Sequence, residues 1–190
     1  DTLKKIITLK IVLATRNKKK VEEIRRVLNE PSVELLNLTD FPDCPEVVED
    51  GDTFYANAEK KATEVAKYTG CLALADDSGL VVDGLDGAPG IYSARYAGAG
   101  ATDQDNLEKV LTQLAGRPSS DRAARFVCVI SLGTPAGKVE SFAGTVEGQI
   151  CEIPQGDNGF GYDPVFVPEG EKRTFAQMQG QEKDALSHRG

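Results

Sequence analysis

Apolar runs of strand length alternate along the chain with segments whose apolar residues recur at helical spacing. "KIVLAT", residues 10–15, is an apolar run that reads as a buried strand. Val21, Ile24, Val27 and Leu28 then recur at steps of three and four, the spacing of one helix face. Residues 10–28 are therefore expected to form a strand, a tight turn and a helix, with "TRNKKK" at the junction. "VELLNL" (33–38) predicts a second strand. An acidic loop with two prolines follows, "FPDCPEVVEDGD". Asp52 is the expected N-cap of the next helix, Thr53 to Thr69, whose apolar stripe is Phe54, Ala58, Ala62, Val65 and Ala66.

"CLALA" and "LVVDG" read as two short strands flanking a "DDSG" junction. Residues 83–100 are rich in glycine and carry Pro89, so they predict a loop. Thr102, with Asp105 three residues on, looks like a capping box. Leu107, Val110, Leu111 and Leu114 continue it at helical spacing. "ARFVCVISLGT" and "GKVESFAGTVEGQI" predict antiparallel strands around a "TPAGK" turn. "PQGDNGFGYDPVF" is expected to be a loop entering a short strand. The end, "KRTFAQMQGQEKDALSHRG", reads as mostly helical with a glycine break. Strands and helices alternate, then a hairpin appears, which predicts an α/β protein with a mixed sheet. At 190 residues the chain suits one domain, or two tightly joined lobes.

Composition narrows the function classes. The chain is 40% hydrophobic and 27% charged, the balance of a soluble globular protein. No apolar run approaches the roughly 20 residues that span a bilayer. The start, Asp1-Thr2-Leu3-Lys4-Lys5, shows no cleavage-site pattern, so no signal peptide is expected. Cys44, Cys71, Cys128 and Cys151 are widely spaced and His188 is the single histidine, so a zinc site is not expected. Scattered cysteines within apolar runs fit a reducing cytoplasm. A net charge of −8 argues against nucleic-acid binding. Positive charge is nevertheless concentrated from Arg16 to Lys20, where a phosphorylated small molecule would meet it.

Four stretches carry candidate chemistry. A strand that turns into a helix at "TRNKKK" offers backbone N–H groups and a helix dipole to an anion, with Thr15, Asn17 and Lys20 as helpers. The spacing is not that of a Walker A loop, and a solvated lysine face is the competing reading. Asp76 and Asp77 are expected at a strand end. Adjacent strand residues point oppositely, so one carboxylate can serve a hard cation such as Mg²⁺ while the other serves the fold. A second carboxylate is available from Glu46, Glu49, Asp50 or Asp52; a plain turn is the alternative for "DDSG". In "GDNGFGYDP", Phe160 or Tyr162 is placed to stack on a nucleobase, or to anchor its loop. Lys183, His188 and Arg189 cluster near the end of the chain, which favours a ligand there.

The order "T-x-N-x-x-K", "ADDSGLVVDGLDGAPGIYSARYAG", "GFGYDPVF", "EKDALSHRG" resembles the inosine/xanthosine triphosphate pyrophosphatases, from about residue 10 to residue 190. That resemblance implies a two-lobed α/β fold with a long central mixed sheet flanked by helices, a deep cleft between the lobes, and a cytoplasmic homodimer. It implies Mg²⁺-dependent hydrolysis of ITP, dITP, XTP and dXTP to the monophosphate and pyrophosphate. By motif, Thr15, Arg16, Asn17, Lys18, Lys19 and Lys20 would grip the triphosphate. Asp77 would ligate metal and accept the proton of the attacking water, Glu49 would be the second metal carboxylate, and Ser78 would touch substrate. Phe160, Gly161, Tyr162, Asp163, Lys183, His188 and Arg189 would form the base pocket. Two departures stand out. The family usually has glycine where this chain has Arg16 and Lys19; were those positions at positive φ, the side chains would be strained. Family members usually continue past "SHRG" into another helix. The competing expectations are a nucleotide sensor that has lost catalysis and a pyrophosphatase for other modified nucleotides.

Overall fold

The structure, a computed structural model, describes residues 8–190. The reading that no leader precedes the chain falls on residues 1–5, outside the described residues. Six strands form one mixed sheet in the order β2-β1-β3-β4-β5-β6. In chain order, the first elements are β1 (Leu9–Leu13), α1 (Lys18–Leu28), β2 (Val33–Asn37), α2 (Phe54–Thr69) and β3 (Leu72–Val82). They are followed by α3 (Asp103–Leu114), β4 (Ala123–Gly133), β5 (Val139–Ile150), β6 (Phe166–Pro168) and α4 (Gly180–Leu186). β1 pairs in parallel with both β2 and β3, while β5 and β6 are antiparallel. The mixed α/β sheet expected from the sequence is therefore present. Among the described residues no helix is long and apolar enough to cross a membrane.

The chain divides into two compact units. One holds the described part of Asp1–Asp76 with Val129–Phe142; the other holds Asp77–Cys128 with Ala143–Gly190. β3, β4 and β5 contribute residues to both.

In the first unit, side-chain alternation along β1 decides which helix covers which face. Val12 and Ala14 pack with Ala62, Val65 and Ala66 of α2. Leu13, between them, packs with Val21 and Ile24 of α1. The cap of α2 is Thr53, one residue beyond the expected Asp52: its Oγ1 accepts the N–H of Ala56 at 3.0 Å. The hydroxyl has the reach and the extended backbone that an N-cap needs.

The second unit is built around α3, whose Leu107, Val110 and Leu114 lie fully buried against Leu80, Val82, Phe126, Ile150 and Phe166. The predicted capping box is present, Thr102 and Asp105 each accepting from the other's backbone. Phe126, Phe166 and Phe175 form a ring cluster with centroids 4.6 to 6.0 Å apart. The 83–100 loop contains two short 3₁₀ turns, Asp83–Leu85 and Gly90–Arg95.

One expectation fails informatively. "DDSG" is neither a turn nor the junction of two short strands. β3 runs unbroken from Leu72 to Val82 and carries Asp76 and Asp77 in its middle, both 5% exposed. Local turn preference loses because the Asp76 charge is compensated where it lies. Lys20 sits 2.7 Å from the Asp76 carboxylate, and Lys61 donates to the Asp76 carbonyl at 2.7 Å.

Candidate active site

In the first unit the sequence "TRNKKK" closes on itself before any ligand arrives. Asn17 is the N-cap of α1, and its side-chain oxygen accepts the N–H groups of Lys19 and Lys20 at 3.0 and 3.2 Å. Two of the amides expected to meet an anion are thus already occupied, and the anion-attracting power here rests more on side-chain charge than on open N–H groups. Thr15 Oγ1 accepts the Asn17 N–H at 3.0 Å, and Arg16 donates to the carbonyl of Cys44 at 2.8 Å, which ties the turn to the start of the acidic loop. Arg16, Lys18 and Lys19 are exposed; Lys20 is half-buried through its pair with Asp76. Among the described residues only Asn29 and Asp86 are non-glycine residues at positive φ. Arg16 and Lys19 therefore carry no left-handed strain, and the concern raised by the missing glycines falls away.

Glu49 is held by α2. Lys61, on the buried face of that helix, donates to Glu49 Oε1 at 2.9 Å as well as to the Asp76 carbonyl. One helical turn earlier, buried Asn57 accepts the Gly51 N–H at 2.8 Å. Asn57 and Lys61 lie four residues apart, so one helix face grips the acidic loop at two points. Asp50 pairs with Lys60 at 2.7 Å, and that ammonium holds the Asp50 carboxyl below its ordinary value.

Lys61 is the residue that sequence reasoning missed. The signal was available: with Phe54, Ala58, Ala62 and Val65 defining the stripe, Lys61 falls on the same face. A lysine on an apolar face needs a partner of opposite charge or a carbonyl.

In the second unit six of the expected residues gather. Asp163 is buried and takes Lys183 at 2.7 Å, both side chains 4% exposed or less. The same Asp163 oxygen accepts the Phe160 N–H at 3.0 Å. Lys183 also lies over the Phe160 ring, 4.8 Å from its centroid, and the Arg189 guanidinium approaches that ring at 5.9 Å. Arg189 donates to Ser78 Oγ at 3.1 Å, across 111 residues of chain. His188 stacks on Phe126 with ring centroids 4.8 Å apart and 17° between planes. Two glycines make this packing feasible. A Cβ on Gly144 would stand 2.2 Å from the His188 carbonyl, and one on Gly159, at φ +71, would stand 2.1 Å from Asp163 Oδ2. Asp77 begins this unit in chain order, its carboxylate buried in β3.

Tyr162 takes the second of the two roles expected for an aromatic here. It is 5% exposed, belongs to the core around α3, and its hydroxyl donates to the Ser93 carbonyl at 2.6 Å. Burial pushes its ionisation upward. It is an anchor for its loop, and Phe160, half-buried, is the aromatic that can offer a face.

This fold recurs in solved proteins. The Ham1 family model matches residues 11–190, and the chain belongs to the Ham1 family. A Geobacter sulfurreducens protein named dITP/XTP pyrophosphatase is 51% identical over 181 residues, 95% of this chain and 91% of that one. A protein of the same name from Syntrophobacter fumaroxidans is 53% identical, over 95% of this chain and 77% of that one. Among solved structures, a HAM1 protein from Coxiella burnetii superposes with a TM-score of 0.86 at 44% identity, covering 96% of this chain and 93% of that one. The Ham1 protein of Staphylococcus aureus gives 0.83 at 41%, covering 95% and 92%.

Proposed function

We propose that the protein hydrolyses non-standard purine nucleoside triphosphates, ITP, dITP, XTP and dXTP, to the monophosphate and pyrophosphate. The observation that carries this reading is the cluster of Ser78, Phe160, Asp163, Lys183, His188 and Arg189 in one unit of a chain about half identical to proteins named dITP/XTP pyrophosphatase.

In this reading Phe160 stacks on the base while Arg189 and neighbouring backbone N–H groups donate to the oxygen at position 6. Adenine carries an amino donor there, and leaving buried donors unmet is an effective means of rejection. Lys20, anchored by Asp76, and the exposed cations Arg16, Lys18 and Lys19 hold the triphosphate beside Thr15 and Asn17. Asp77 accepts a proton from the water that attacks the α-phosphorus; the new P–O bond forms as the bond to the bridging oxygen breaks and pyrophosphate leaves.

Asp77 and Glu49 each offer carboxylate oxygens, the hard donors that Mg²⁺ prefers, so the donor chemistry of each fits that ion. Among the described residues no group of three or more His, Cys, Asp or Glu could hold a metal ion. A Mg²⁺ ion on one or two carboxylates completes its shell with phosphate oxygens and water. Bound there, it would neutralise charge on the phosphates. The reading extends to a cytoplasmic homodimer. The unstrained backbone at Arg16 and Lys19 removes the chief argument for a sensor that has lost catalysis.

The test is pyrophosphate release from ITP, dITP, XTP, dGTP and dATP with and without Mg²⁺. Mg²⁺-dependent release confined to the inosine and xanthosine nucleotides is expected. Nucleotide binding without release would overturn the enzymatic reading, and equal release from dATP would overturn the donor-lined pocket.

A further inference from the structure

We propose that Asp103, at the first position of α3, is a positioning residue for the nucleobase site. It lies 58 residues from the "GFGYD" loop in sequence, yet its Oδ2 accepts the Gly161 N–H at 2.8 Å. The helix does not need Asp103 as its cap, because Thr102 and Asp105 already close the capping box. Asp103 sits on a fixed platform. Buried Asn106, one turn along, accepts the Ala97 N–H at 2.8 Å and donates to the Ala94 carbonyl at 3.1 Å.

Two consecutive amides of the loop therefore end on carboxylates from different elements, Phe160 on Asp163 and Gly161 on Asp103. Tyr162 is pinned next, through its hydroxyl, to Ser93. The peptide plane between Phe160 and Gly161 shares its Cα with the Phe160 ring. Holding that plane holds the ring where Lys183 and Arg189 meet it. Without the Asp103 oxygen the Gly161 N–H turns to water, and the plane gains freedom that base binding must then remove. Asp103 is thus a specificity support reaching the site through the backbone, with no contact to the phosphates required.

This inference rests on the reading of Phe160 as the base-stacking residue, and the experiment separates the two. Steady-state kinetics on ITP with Asp103→Ala should show KM raised about tenfold and kcat within about twofold, the loss expected for one charge-assisted hydrogen bond acting on binding alone. Asp103→Asn retains an acceptor oxygen and should recover most of the affinity. Phe160→Ala should raise KM by itself, and adding Asp103→Ala to it should add little, since the two act through one ring. If Phe160→Ala raises KM and Asp103→Ala does not, or if their effects simply add, the positioning role is wrong. If Phe160→Ala leaves KM unchanged, the base-site reading falls and this inference with it. Should the alanine variant not fold, Asp103→Ser keeps a helix-compatible hydroxyl too short to reach Gly161 and is read in the same way.

Discussion

Each unit of the molecule buries a lysine, and the two lysines are satisfied differently. Lys61 in the first unit divides its ammonium between a backbone carbonyl, that of Asp76, and Glu49, whose side chain is 30% exposed. Lys183 in the second meets a fully buried carboxylate, Asp163, and the aromatic rings of Phe160 and Phe175. A buried charge must be compensated in either case. What differs is where the compensation leads. The first arrangement leaves acidic and basic side chains at the edge of water. The second encloses its charge and spends it on fixing an aromatic loop. The first unit is therefore organised for charge and the second for shape.

The sharpest way to break this contrast is at Asp77. Asp77→Asn is expected to lower kcat by about 10²–10⁴, the usual contribution of a general base, with an unchanged circular dichroism spectrum. Near-normal turnover would remove Asp77 from the proposed chemistry.

The lysines come next. Lys183→Met strands a buried Asp163 and should cost about 3–5 kcal/mol of stability, read by urea unfolding. Lys61→Met leaves water able to reach Glu49, so it should cost less stability than Lys183→Met while lowering activity more. If the two variants lose equal stability, the distinction between the units is not energetic.

A smaller effect separates the two aromatics. Phe160→Ala should weaken ITP binding by about 1–3 kcal/mol, the worth of a base–aromatic stack, with little change in stability. Tyr162→Phe should do the reverse, losing about 1 kcal/mol of stability with KM unchanged. A raised KM in Tyr162→Phe would return that residue to the binding surface.

The smallest effect concerns α3, the platform of the second unit. The Thr102 backbone N–H holds the Asp105 carboxyl below its ordinary 3.8. A lowered folded-state value means the contribution is complete above the unfolded value and lost as pH falls through the folded one. Thermal melts between about pH 6 and pH 2.5 should show the gap between wild type and Asp105→Asn closing below 3.8. A constant gap would mean that the charge on Asp105 adds nothing to the cap.

Much of this was legible in the chain itself. β1, α1, β2, the α3 capping box and the β4–β5 hairpin follow from periodicity and turn chemistry, because each is specified by neighbours within a few residues. The stretches that gather in the second unit were equally visible as candidates, since side-chain type limits what a stretch can bind. Only the tertiary structure decided the rest. "DDSG" has the composition of a turn, yet it is strand, because Lys20 and Lys61 arrive from two helices to compensate Asp76. Tyr162 and Phe160 look alike two residues apart; the Ser93 carbonyl, 69 residues away in sequence, makes one a buried anchor, while the other stays half-buried. Asn17 reads as a ligand for an anion, and the fold also makes it a helix cap. A charge or an aromatic ring takes its role from the partner that reaches it, and in this protein those partners come from elements far apart in the chain.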